Sequence, residues 1–82
     1  MSVSSDELKR IYGKIEFVNS SGDYKVEIVD SFADIDVELV SSFADSEGKW
    51  EIVDSFGDFK IEIVDSFGDF KIKYVDSFPK VN

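Results

Sequence analysis

Val53-Asp54-Ser55-Phe56-Gly57-Asp58-Phe59-Lys60-Ile61-Glu62-Ile63 is followed by a near copy of itself, Val64 to Tyr74. The opening tetrapeptide recurs at Val29–Phe32 and Val75–Phe78. Val40-Ser41-Ser42-Phe43 is a degenerate copy, and Val18-Asn19-Ser20-Ser21 an earlier relative. Starts at 18, 29, 40, 53, 64 and 75 are spaced by 11 residues, with one step of 13 that inserts two residues within 44–48. Between the motifs lie Tyr24-Lys25-Val26-Glu27-Ile28, Ile35-Asp36-Val37-Glu38-Leu39 and their counterparts, each alternating apolar and charged. A period of two marks a half-buried β-strand. The repeat therefore predicts six strands, over 12–18, 23–29, 34–40, 49–53, 58–64 and 69–75, joined by connections of Asp, Ser and Phe.

The chain divides into an N-terminal arm over 1–10, repeats over 11–78 and a tail over 79–82, forming one domain over 1–82. Ser4 and Glu7 have capping-box spacing, which predicts a single helical turn in the arm. Gly57 and Gly68 share their repeat position with Ala33, Ala44 and Pro79. That set argues for a small residue there rather than a left-handed one.

One face of the predicted sheet is apolar and includes Ile15, Phe17, Val26, Trp50, Ile61 and Phe70; the other carries Lys, Glu and Asp. Pairing consecutive strands as hairpins sets six opposite-charge pairs, such as Lys25–Glu38 and Glu62–Lys71, against three like pairs. Stacking consecutive repeats in parallel sets Lys14 on Lys25 and Glu51 on Glu62, with most pairs alike. The expectation is an all-β, six-stranded antiparallel meander, with a parallel β-solenoid as the alternative. Its apolar face needs cover, either by closing into a small barrel or by pairing as a sandwich homodimer. Successive connections then alternate ends, so Phe43 and Phe67 fold over one end and Phe32, Phe56 and Phe78 over the other.

The Val-Asp-Ser-Phe-x-Asp-x-Lys-Ile-Glu-Ile unit, with Gly48-Lys49-Trp50 in the longer repeat, resembles small bacterial proteins made of short tandem Val-Asp-Ser-Phe β-repeat units. The likeness covers 18–79. It departs where Gly or Ala replaces the Pro common in those units, Pro79 being retained. The resemblance implies architecture and no activity.

Composition narrows function by exclusion. The 82 residues hold 18 acidic and 9 basic side chains, a net charge of −9, with no Cys and no His. Imidazole bases, thiol nucleophiles and zinc sites of Cys and His have no residues to use. An acidic chain is a poor match for nucleic acid or anionic lipid. No apolar run is long enough to span a bilayer, and the start carries no signal-peptide core. A soluble protein is expected, cytoplasmic or exported after losing a signal peptide.

Repeated carboxylates make Asp54, Asp58, Asp65 and Asp69 weak candidates for calcium, but no metal site is expected, because turn formation is the better account of them. Glu38 and Glu51 oppose each other in the hairpin register, the arrangement a carboxylate-pair hydrolase would need. Ser31, Ser55, Ser66 and Ser77 lack a histidine and a nucleophile elbow. The longer connection offers a candidate binding loop of Phe43, Asp45, Glu47 and Trp50. No catalytic residue and no cofactor is expected. The function expected is a structural or protein-interaction module, with a calcium-dependent or carbohydrate-binding surface module as the alternative.

Overall fold

The computed structural model describes residues 3–82. One short helix, α1 (Ser5–Leu8), precedes seven strands: β1 (Gly13–Val18), β2 (Tyr24–Ile28), β3 (Ile35–Leu39), β4 (Lys49–Val53), β5 (Phe59–Ile63), β6 (Phe70–Val75) and β7 (Lys80–Val81). The all-β expectation holds, and the helical turn forms with the Ser4 side chain accepting from the Glu7 N–H. Residues 1 and 2 of the expected arm lie outside the described residues.

The strand order corrects the expected topology. One sheet runs β4-β1-β5-β2-β6-β3-β7, and a further β3–β4 pairing closes it into a ring. The six longer strands are parallel throughout, and the only antiparallel pair among the described residues is β3–β7. Neither an antiparallel meander nor a solenoid of consecutive repeats describes it, because no strand from β1 to β6 pairs with its successor except β3 with β4. Closure puts the apolar face inside the ring and fully buries its central layer.

The physical reason lies in which repeats meet. Lys14 pairs with Glu51, Glu16 with Lys60, Lys25 with Glu62, Glu27 with Lys71, Asp36 with Lys73 and Glu38 with Lys49. Every one of these outward pairs joins opposite charges, which favours this register over either arrangement of consecutive repeats.

Each connection steps over one strand and comes down on that strand's far side. The residues between β2 and β3 are typical. The Val29 N–H donates to the Ile72 carbonyl on one edge of β6, and the Asp34 N–H donates to the Lys71 carbonyl on the other edge. The connection begins and ends at nearly the same height on the crossed strand. Parallel strands usually need a crossover of a dozen residues or more to climb back. Here there is almost no climb. In the same way β1→β2 crosses β5, β4→β5 crosses β1, β5→β6 crosses β2 and β6→β7 crosses β3. The segment between β3 and β4 passes β7, with the Glu38 N–H donating to Gly48 and the Val81 N–H to the Glu47 carboxylate at 2.9 Å. The chain thus circles twice, and strands of the two circuits alternate.

These crossings run outside the ring at close range. A Cβ built on Gly57 would lie 2.9 Å from both Cβ and amide nitrogen of Glu16. Gly57 has no positive φ, so a small residue is what the position requires. The left-handed turn falls one residue earlier. Ser21, Phe32, Phe43, Phe56, Phe67 and Phe78 all have φ between 56° and 58°.

Inside the ring the side chains form layers. Ile15, Val26, Val37, Trp50, Ile61 and Ile72, one from each long strand, are fully buried at mid-height. The end at the strand N-termini is closed by Leu8 of the arm and Ile11 just after it, and the Trp50 indole N–H donates to the Ile11 carbonyl at 2.9 Å. Tyr24 packs there on Phe59 and Phe70, with ring centroids 6.2 and 5.7 Å away.

Candidate interaction surface

At the opposite end no such cap exists among the described residues. Phe17, Ile28, Leu39, Ile52, Ile63 and Tyr74 follow the central layer by two residues and so share its inward face. They are 38–50% exposed. Six apolar side chains, one per strand, form a half-exposed layer at the strand C-termini, the uncapped mouth of the ring. The connections leaving this end carry Phe32, Phe43, Phe56, Phe67 and Phe78, which are 82–96% exposed. The expectation that these rings fold over the two ends is overturned. All six long strands point the same way, so their connections depart from one end, and the turn holds each phenyl ring in water.

Local conformation does not call for phenylalanine at these positions. A left-handed non-glycine residue costs on the order of 1–3 kcal/mol, and glycine or asparagine adopts that region far more readily. Burial does not call for it either, since nearly all of each ring faces solvent. Five repetitions of a residue disfavoured on both counts form the most unusual surface of the molecule.

The remaining candidates separate clearly. Asp58 and Asp69 serve the backbone. The Asp58 N–H donates to the Lys14 carbonyl at 2.7 Å, and its carboxylate accepts from the Lys14 N–H at 3.1 Å. Asp69 does the same to Lys25, Asp23 to Lys60 and Asp34 to Lys71. This two-bond clamp fastens β2, β3, β5 and β6 to the strand each has just crossed. Asp54 and Asp65 are exposed, and no group of three acidic side chains with metal-holding geometry occurs among the described residues.

Glu38 and Glu51 are not brought opposite each other. Glu38 pairs with Lys49, and Glu51 with Lys14. The serines of the motif are exposed on the connections. Within the longer connection, Phe43 and Asp45 are exposed, Glu47 holds the Val81 N–H and Trp50 is fully buried. The structure therefore does not gather these four around one surface site. The two additional residues lie where the chain passes β7. A Cβ on Gly48, with φ of 80°, would meet Pro79 at 2.7 Å and the Asp36 carbonyl at 2.8 Å.

Sequence reasoning missed the clamps and the mouth. Asp followed two residues later by Lys, at the head of three strands, was the available sign of the clamp.

Two shallow recesses lie elsewhere. One, lined by Glu7, Asp23, Tyr24, Asp58 and Phe59, flanks the capped end. The Tyr24 hydroxyl there donates to Glu7, and this bond, with burial and the nearby Glu7, Asp23 and Asp69 charges, pushes its pKa up to about 12. The other is lined by Phe32, Ala33, Asp36, Lys73, Lys80 and Asn82 on the outer face. Burial alone raises the pKa of Tyr74.

A ring of seven strand positions, traced by a chain stepping over one position at a time, is an interlaced path. A family model described as the 7(1) septoil knot domain matches residues 8–82. The chain belongs to the septoil knot domain family. Among curated proteins nothing matches it. No helix among the described residues is long and apolar enough to cross a membrane.

Proposed function

We propose that this domain is a non-catalytic protein-interaction module that works through its open end. The five exposed phenyl rings carry the reading. They cost the fold conformational energy, bury little surface and recur in every connection from the second onward. The half-exposed residues at the strand C-termini supply a second apolar surface at the end these connections leave, and the ring of strands positions both. Aromatic side chains on a rigid scaffold are the residues that dominate protein interfaces.

Selection of a peptide library against the intact chain tests this. Binders are expected to compete with one another and to lose affinity when Phe56→Ser and Phe67→Ser are combined. Failure to obtain binders, or binders indifferent to both substitutions, would overturn it.

A further inference from the structure

Charge is segregated in this chain. Along the outward belt of the six long strands, basic and acidic residues are equal in number and meet in opposite-sign pairs. The connections hold ten carboxylates and no basic residue at all. The whole negative excess therefore sits between the strands. Four of these carboxylates, Asp30, Asp54, Asp65 and Asp76, come within two residues of a strand C-terminus and are exposed. They stand beside an end whose lining is apolar.

We propose that the open end docks a cationic, amphipathic segment of a partner protein. Its apolar side chains pack on the half-exposed layer of the mouth, and its lysines or arginines face Asp30, Asp54, Asp65 and Asp76. The proposal rests on the interaction reading above and adds the charge of the partner. Charge complementarity selects this occupant. A second copy would bring the same carboxylates against the first, and an anionic lipid surface or nucleic acid would be repelled likewise.

Three labelled peptides of about 18 residues, built from Leu with Lys, Leu with Gln and Leu with Glu, provide the probes, a length that gives about five helical turns. Affinity is read by fluorescence anisotropy and the contact surface by amide chemical shifts. The Leu/Lys peptide is expected to bind, shifting residues 28–32, 52–56 and 63–67. Its affinity should fall about tenfold or more between about 50 mM and about 500 mM salt, as screening removes the charge contribution. The same loss is expected in a combined Asp30→Asn, Asp54→Asn, Asp65→Asn, Asp76→Asn variant whose melting matches the parent. If that variant does not fold, the salt titration of the parent decides. Equal binding of the Leu/Gln peptide, or affinity indifferent to salt, would overturn the charge assignment and leave the mouth a docking site. No shift at the mouth with any peptide would overturn both readings. Light scattering that shows a dimer formed through the mouth would replace the partner with a second copy and overturn the proposal.

Discussion

The indole N–H of Trp50 donates to the backbone carbonyl of Ile11, tying the first strand of the second circuit to the segment that caps the ring. Trp50 is fully buried, so both partners of this bond depend on each other. Trp50→Phe is expected to leave the Ile11 carbonyl unpaired and open a small cavity, at a cost of about 2–4 kcal/mol. Denaturant melts of the two proteins measure it. A variant as stable as the parent would show that the cap is not held through the indole.

Ile61 and Lys60 are neighbours in sequence and opposites in environment. Ile61→Lys places an ammonium in the central layer, where desolvation costs several kcal/mol, comparable with the stability of a small domain. Unfolding is the expected outcome by circular dichroism. Lys60→Ile leaves the backbone bonds to Asp23 in place and removes only the pairing with Glu16, about 0.2–1 kcal/mol.

Phe67→Gly is expected to leave the melting temperature unchanged or to raise it. Relief of left-handed strain, about 1 kcal/mol or more, opposes the added freedom that glycine gives the unfolded chain, about 0.5–1 kcal/mol. A loss of about 3–5 kcal/mol, the value for a buried ring, would mean that the phenyl group packs in solution.

The aspartate clamp predicts a graded response at Asp58. Asp58→Asn keeps an acceptor for the Lys14 N–H, whereas Asp58→Ala removes it. Alanine is expected to cost about 1 kcal/mol and asparagine less. Amide exchange at Lys14 should accelerate in the alanine variant alone.

Alkaline pH should weaken the fold through Tyr24. Its hydroxyl is a donor to Glu7, and its pKa rises from the ordinary 10.0 to about 12. The unfolded chain ionises first, so the contribution is complete below pH 10 and is lost as pH rises towards 12. Phenolate absorbance should show Tyr24 titrating late. Tyr24→Phe should flatten the decline in stability over that window.

The eleven-residue period and the apolar alternation made the strands, their inward face and the small residue at Gly57 legible from sequence. Strand order was not legible from consecutive repeats alone. Sequential strands are usually spatial neighbours. Here Lys14 meets Glu51 and Lys25 meets Glu62, so the charge pattern identifies partners only when every repeat is compared with every other. The exposed phenylalanines were hidden for a different reason. A phenyl side chain suggests burial, and nothing in Val-Asp-Ser-Phe announces that its last residue turns left-handed. Asp58 and Asp69 were legible as connection residues but not as clamps, because the strand each one holds lies far away in sequence.

The step-over-one path has a consequence for how such a chain can grow. Seven strand positions form an odd count, so a stride of two visits every position before returning. Adding or removing one repeat makes the count even, and the same stride then returns early, with half the positions unvisited. Copy number in this architecture is governed by parity. Duplicating a single unit such as 53–63 leaves a surplus strand with nowhere to lodge, whereas an ordinary solenoid simply lengthens.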